Sequence, residues 1–254
     1  MISLKNPEQI GKMRDAGALL YEVLCRLREA VQPGMSTAAL DVYAEQLIRK
    51  NHAIPSFLHY EGYPASICAS IDDAVVHGIP SEKQILQEGQ ILSIDCGLVL
   101  DGWQADSAFT MGIGEISPEA QRLIDVTEQC FFAGARQAIA GKRLGHAVQQ
   151  VAESNGYGVI RDLTGHGIGR EMHEDPPVFN YGTPDRGLRL RKGMTIAIEP
   201  MISAGDWHIT CDADQWCCRT RDRSLTSHYE HTIAINEEGL PEILTYPDFK
   251  WEDK

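Results

Sequence analysis

Four carboxylates and one imidazole stand in this chain where such groups are costly without a task. Asp95 ends the run Ile91-Leu92-Ser93-Ile94, and Glu199 ends Met194-Thr195-Ile196-Ala197-Ile198. A strand that apolar is normally buried, and a carboxylate at its end must be paired, protonated or bound to metal. One such acid is most often a strand end reaching solvent. Two at equivalent places in two similar segments argue for a shared purpose. Asp106 follows Asp95 across a turn at Asp101-Gly102, so a hairpin can set both on one sheet face. Glu230 enters the apolar run Tyr229-Glu230-His231-Thr232-Ile233, and His166 lies among glycines in Gly165-His166-Gly167-Ile168-Gly169. This hard, oxygen-rich set suits two divalent ions such as Mn, Fe or Co better than a structural zinc. Two ions about 3.5–4 Å apart, bridged by carboxylates, are a recurring hydrolytic device.

Competing motifs fail. His173-Glu174 is followed by Asp175-Pro176-Pro177, so there is no H-E-x-x-H, and neither a G-x-S-x-G elbow nor a Walker A loop is present. The glycines around His166 depart from the G-x-G-x-x-G phosphate cradle and read equally well as a tight turn. Cys211, Cys217 and Cys218 lack metal-ligand spacing and read as ordinary thiols.

The elements that must position these residues come in a repeated order. Asn6 and Pro7 open a helix whose apolar face runs through Ile10, Met13, Gly17, Leu20, Leu24, Leu27 and Val31, stopped by Pro33-Gly34. A second helix follows Ser36-Thr37, with Leu40, Ala44, Leu47 and Ile48 on one face. Strand-like runs come next at Ile67–Ile71, Ile91–Asp95 and Ala108–Met111. Then Ser117-Pro118-Glu119 opens a helix ending near Gly141, another spans roughly Leu144 to Asn155, and strands follow around Val159-Ile160, Met194–Ile198 and Tyr229–Ile235. Gly89–Asp95 resembles Gly193–Glu199 at an offset of 104, and Pro33-Gly34 resembles Ala140-Gly141 at an offset of 107. The pattern predicts an α+β fold, one duplicated domain over residues 1–254 with halves near 1–115 and 116–254, related by a pseudo-two-fold axis.

Composition bounds the function. The 254 residues carry a net charge of −13, which argues against non-specific nucleic-acid or anionic-membrane binding. No apolar run reaches the length of a membrane span, and the N-terminus lacks a signal-peptide layout. Seven cysteines without C-x-x-C pairs fit reduced thiols, so the expected compartment is the cytoplasm.

Seven stretches together resemble type I methionine aminopeptidases of the short bacterial kind: His77-Gly78-Ile79-Pro80, Ser93-Ile94-Asp95, Ala105-Asp106-Ser107, Gly165–Arg170, His173-Glu174, Ile198-Glu199-Pro200-Met201 and Tyr229-Glu230-His231-Thr232. The resemblance covers nearly the whole chain and implies the pita-bread fold, a duplicated helix–strand unit around a central antiparallel sheet. It implies a hydrolase that removes the initiator methionine from peptides and nascent proteins, with a small second residue, by attack of metal-activated water on the first carbonyl. By position, Asp95, Asp106, His166, Glu199 and Glu230 match the ligands of two divalent ions (Co, Mn or Fe, with Zn or Ni also admissible). Asp106 and Glu230 bridge, Asp95 serves one ion, and His166 and Glu199 serve the other. Glu199 is also the general base, His77 and His173 contact the scissile amide, and Tyr60, Tyr63, Cys68, Met172 and Trp216 form the side-chain pocket. The resemblance further implies a monomer, leaves room for a monovalent cation and for contact with ribosomes, and shows departures at Phe57, Val76, Asp72 and Met172. An X-Pro hydrolase of the same fold would carry an extra N-terminal domain, for which a first catalytic helix starting at Asn6 leaves no room. A type II methionine aminopeptidase would carry a long insertion that the short intervals between His166, Glu199 and Glu230 exclude. A non-catalytic binder on this fold would have lost ligands, whereas all five are present.

Overall fold

Asn6 closes a capping box on the first helix. Its side chain accepts from the Gln9 N–H while the Gln9 side chain accepts from the Asn6 N–H, which satisfies two otherwise orphaned donors. In the computed structural model, which describes residues 1–184 and 186–253, this helix, α1, spans Pro7–Ala30. Ser36 and Ser117 cap α2 (Thr37–Lys50) and α3 (Pro118–Arg136) through the Ala39 and Ala120 N–H groups, and α4 spans Gly145–Ser154. Helix α3 stops at Arg136, short of the expected Gly141, which instead takes a left-handed turn and donates its N–H to the Leu190 carbonyl.

The strands are β1 (Ile54–Pro55), β2 (Ile67–Ile71), β3 (Ala74–Val76), β4 (Ile91–Leu100), β5 (Trp103–Gly112), β6 (Gly158–Val159), β7 (Gly165–Gly167), β8 (Glu174–Val178), β9 (Thr195–Ile198), β10 (Met201–Ser203), β11 (Ile209–Cys211), β12 (Cys218–Thr220), β13 (Thr226–His228), β14 (Glu230–Ile235) and β15 (Pro241–Ile243). The main sheet runs β1-β4-β5-β14-β9-β7-β8, with β2 on β4 and β15 on β14, and its paired strands are antiparallel. In the main sheet, strands from the two halves of the chain meet where β5 faces β14, over Glu230↔Ala108 and His231↔Ser107, and in a separate sheet β12 of the second half pairs with β3 of the first.

Strand alternation decides which face carries chemistry. Leu92, Ile94, Cys96 and Leu98 of β4 and Ala105 and Phe109 of β5 pack with Leu20, Leu24, Leu27, Leu40 and Ile48 of α1 and α2. Ile196 and Ile198 of β9 and Ile233 and Ile235 of β14 pack with Leu123, Val126, Cys130 and Phe131 of α3. Successive side chains point to opposite faces, so Asp95, Asp106, Glu199 and Glu230 turn away from both helical layers. The paired segments read as duplicates also share conformation: Gly34 (φ +87) and Gly141 (φ +88) turn alike, as do Gly89 (φ +91) and Gly193 (φ +81) before β4 and β9.

Candidate metal centre and active site

Sheet register brings the acids together. In the β4–β5 hairpin Asp95 pairs with Ala108 and Gly97 with Asp106, so the two aspartates are diagonal neighbours on one face. Glu230 pairs with the same Ala108 from the other side. Because His231 pairs with Ile198, Glu199 leaves the end of β9 beside Glu230. His166 is the middle residue of β7, which joins β9 through Gly167 and Ile196. All five residues line one cavity of about 360 Å³.

His166 Nε2 lies 3.7 Å from both Asp106 Oδ2 and Glu199 Oε1. Its Nδ1 is 2.9 Å from the Gly167 carbonyl, an acceptor, so the ring proton belongs on Nδ1 and the Nε2 lone pair faces the acids. One oxygen each of Asp95, Asp106 and Glu230 is buried with no hydrogen-bond partner. Among the described residues no lysine or arginine lines the cavity. Burial pushes the Asp95 carboxyl up to about 7. Asp106, Glu199 and Glu230 move well above the usual carboxylate range, through burial first and mutual repulsion second. Burial, with His173 nearby, lowers His166 to about 4. Clustered buried acids, a neutral imidazole lone pair and orphaned oxygens fit divalent cations, whose charge would replace the missing counter-ions.

His77 and His173 line the same cavity. His173 sits beside His166, ring centroids 4.4 Å apart, and its Nδ1 is 2.9 Å from the Tyr60 hydroxyl. His77 lies edge-on to Trp216 at 6.2 Å, and Trp216 is edge-on to Tyr63 at 5.1 Å. Burial lowers the pKa of both histidines, and for His77 the nearby His173 adds to it. Tyr60, Tyr63, Cys68, Met172 and Trp216 complete the wall, together with Phe57 and Val76. Gly97 lies against two of these side chains: a Cβ there would come within 3.0 Å of Phe57 and 2.9 Å of the Met172 methyl. Asp72 lies apart from this cavity, its carboxylate accepting from the Ile91 N–H and the Gln90 amide. Cys211 and Cys218 oppose each other across β11 and β12, sulfurs 2.9 Å apart, and Cys217 is buried nearby.

Residues 11–237 match metallopeptidase family M24. The chain belongs to that family. M24 is a family of metal-dependent peptidases, and the pita-bread architecture is the fold seen here. A methionine aminopeptidase of Clostridium acetobutylicum is 52% identical over 248 residues, covering 96% of this chain and 99% of the relative. Crystal structures of methionine aminopeptidases from Thermotoga maritima and Rickettsia prowazekii superpose on this M24 chain with a TM-score of 0.94 each, at 41% and 39% identity. They cover 96% and 97% of this chain, and 99% and 100% of the solved chains.

One residue of this M24 site escaped the sequence reading. His228, 2% exposed at the end of β13, places Nε2 3.8 Å from Glu199 Oε2 and 3.7 Å from Glu230 Oε2. Burial lowers its pKa to about 3, which keeps the ring neutral. The signal was its position two residues before Glu230, where an extended chain returns to the same face.

Proposed function

We propose that this chain is a methionine aminopeptidase that acts on the free N-termini of peptides and nascent proteins. The observation that carries the reading is the gathering of Asp95, Asp106, His166, Glu199 and Glu230 in one cavity with His77, His173 and an apolar, aromatic lining. Two divalent cations would be held by Asp95, Asp106, His166, Glu199 and Glu230, with Asp106 and Glu230 shared, and would supply Lewis acidity and a lowered pKa for water. The oxygen-rich donor set favours Co, Mn or Fe over Zn or Ni. Glu199 takes the proton of the attacking water and returns it to the leaving amine. Tyr60 donates its hydroxyl proton to His173 Nδ1, which leaves the His173 Nε2–H to stabilise the charge growing on the carbonyl oxygen. His77, neutral and fixed against Trp216, holds the scissile nitrogen. The pocket of Tyr60, Tyr63, Cys68, Met172 and Trp216 receives an unbranched thioether, where polarizability and shape both count. Crowding beside the histidines restricts the second residue to small side chains.

The 52% identity to a protein named methionine aminopeptidase supports this specificity over an X-Pro one. Seven free cysteines support a reducing, cytoplasmic setting, where the chain works as a monomer. None of the helices in the described residues is long and apolar enough to cross a membrane. The test compares hydrolysis of Met-Ala-Ser and Ala-Pro peptides by chelator-stripped protein resupplied with single divalent ions. Metal-restored cleavage after methionine is the expected result. Preference for Ala-Pro, or cleavage indifferent to metal, overturns the reading.

A further inference from the structure

We propose that His228 is a metal ligand, a second imidazole donor to the cation held by Glu199 and Glu230. This rests on the two-cation reading of the same cavity. The geometry repeats that of His166. Each histidine sets Nε2 at 3.7–3.8 Å from two carboxylate oxygens, and Glu199 is common to both sets. That separation is too long for a hydrogen bond and matches two donors facing a common ion. His228 Nε2 is buried without a hydrogen-bond partner, as is one Glu230 oxygen, so neither is occupied by the protein around it. The donor atoms of Glu199, His228 and Glu230 all lie within 4.8 Å of one another, as do those of Asp106, His166 and Glu230. Two three-residue sets thus share Glu230, and both imidazoles face Glu199.

The backbone holds His228 in that position. Its N–H donates to Thr110 Oγ1, and the Thr110 hydroxyl lies 2.9 Å from the His228 carbonyl. On the other side β13 pairs with β10 through Met201↔His228. The ring is therefore presented from a strand clamped on both flanks, the arrangement a preorganised ligand requires. A second imidazole makes the centre more nitrogen-rich and tilts it toward Fe, Co, Ni and Zn relative to Mn.

The experiment titrates Co²⁺ and Mn²⁺ separately into chelator-stripped full-length protein, and into His228→Ala, His228→Gln and Asp106→Asn. Cobalt-edge X-ray absorption counts imidazoles in the loaded forms. The expected result is a loss of about tenfold or more in affinity for one Co²⁺ in His228→Ala. The imidazole count should fall by half in both His228 variants. His228→Gln, which retains an oxygen donor, should lose more affinity for Co²⁺ than for Mn²⁺. Unchanged affinity and imidazole count in both His228 variants overturn the assignment, even if activity drops. Near-ultraviolet circular dichroism identifies a variant that fails to fold, in which case the other His228 variant decides. If Asp106→Asn also binds like the parent, the metal centre itself fails; if only Asp106→Asn loses metal, the His228 assignment alone falls.

Discussion

Loading this centre with metal should expel protons, because its buried acids hold them near neutrality. In the metal-free protein Asp95 titrates at about 7 instead of 3.8, and Asp106, Glu199 and Glu230 lie well above their ordinary values. Carboxyls raised on folding make the folded chain hold protons that the unfolded chain has released. Its stability is therefore greatest below the unfolded pKa near 4 and falls as pH rises through about 7. Moving the Asp95 midpoint from 3.8 to about 7 corresponds to about 4 kcal/mol lost across that window. A cation requires the charged carboxylates and must displace the protons. At pH 7 about half a proton comes from Asp95, and the raised Asp106, Glu199 and Glu230 carboxyls add to the release. Apparent affinity should then rise with pH near neutrality. Calorimetric titration of stripped protein with Mn²⁺, in buffers of different ionisation enthalpy at pH 6 to 8, measures both quantities. Melting curves over the same range should show the stripped protein weakening with pH while the loaded one does not. Affinity independent of pH, with no proton release, would refute the electrostatic account of the site.

Two substitutions probe the surroundings. His173→Ala should lower kcat by about 10²–10³ with two cations still bound, while Tyr60→Phe, which removes only the partner of Nδ1, should cost far less; equal losses in the two would contradict the role given to His173. Lys5 is buried in an ion pair with Glu174, which also accepts from the Arg170 and Glu171 N–H groups and so anchors the loop that carries His173. Lys5→Met should destabilise the protein by about 3 kcal/mol in denaturant titration, and a change below about 0.5 kcal/mol would show the pair to be dispensable.

The acids were legible in the sequence because strand alternation is local. Ile94 and Cys96 flank Asp95, and once those two face helices Asp95 must face away. Distances between acids were not legible, because they depend on register between β5 and β14, where Ser107 bonds to a residue 123 positions away. The helix starts at Asn6, Ser36 and Ser117 were readable from cap chemistry, whereas the end of α3 was not, since Gly141 serves a turn fixed by Leu190. Strand β8 was missed because Pro176 and Pro177 argue against a strand; it sits at the edge of the main sheet, where proline costs no ladder bond. His228 was passed over because it lies in a separate short strand, and only its parity with Glu230 hinted at the shared face. The resemblance named the four acids and one histidine but had no slot for that sixth residue.

The seam between the two halves has one further meaning. Within the main sheet, strand pairing across it lasts for two residue pairs, and Glu230 is one of the four residues involved. Cations held by Glu230 together with Asp106 and Glu199, as proposed, would tie the two halves together across this short seam of the main sheet. On that reading, occupancy of the centre and cohesion of the two halves become one property, since each half contributes only some of the proposed ligands.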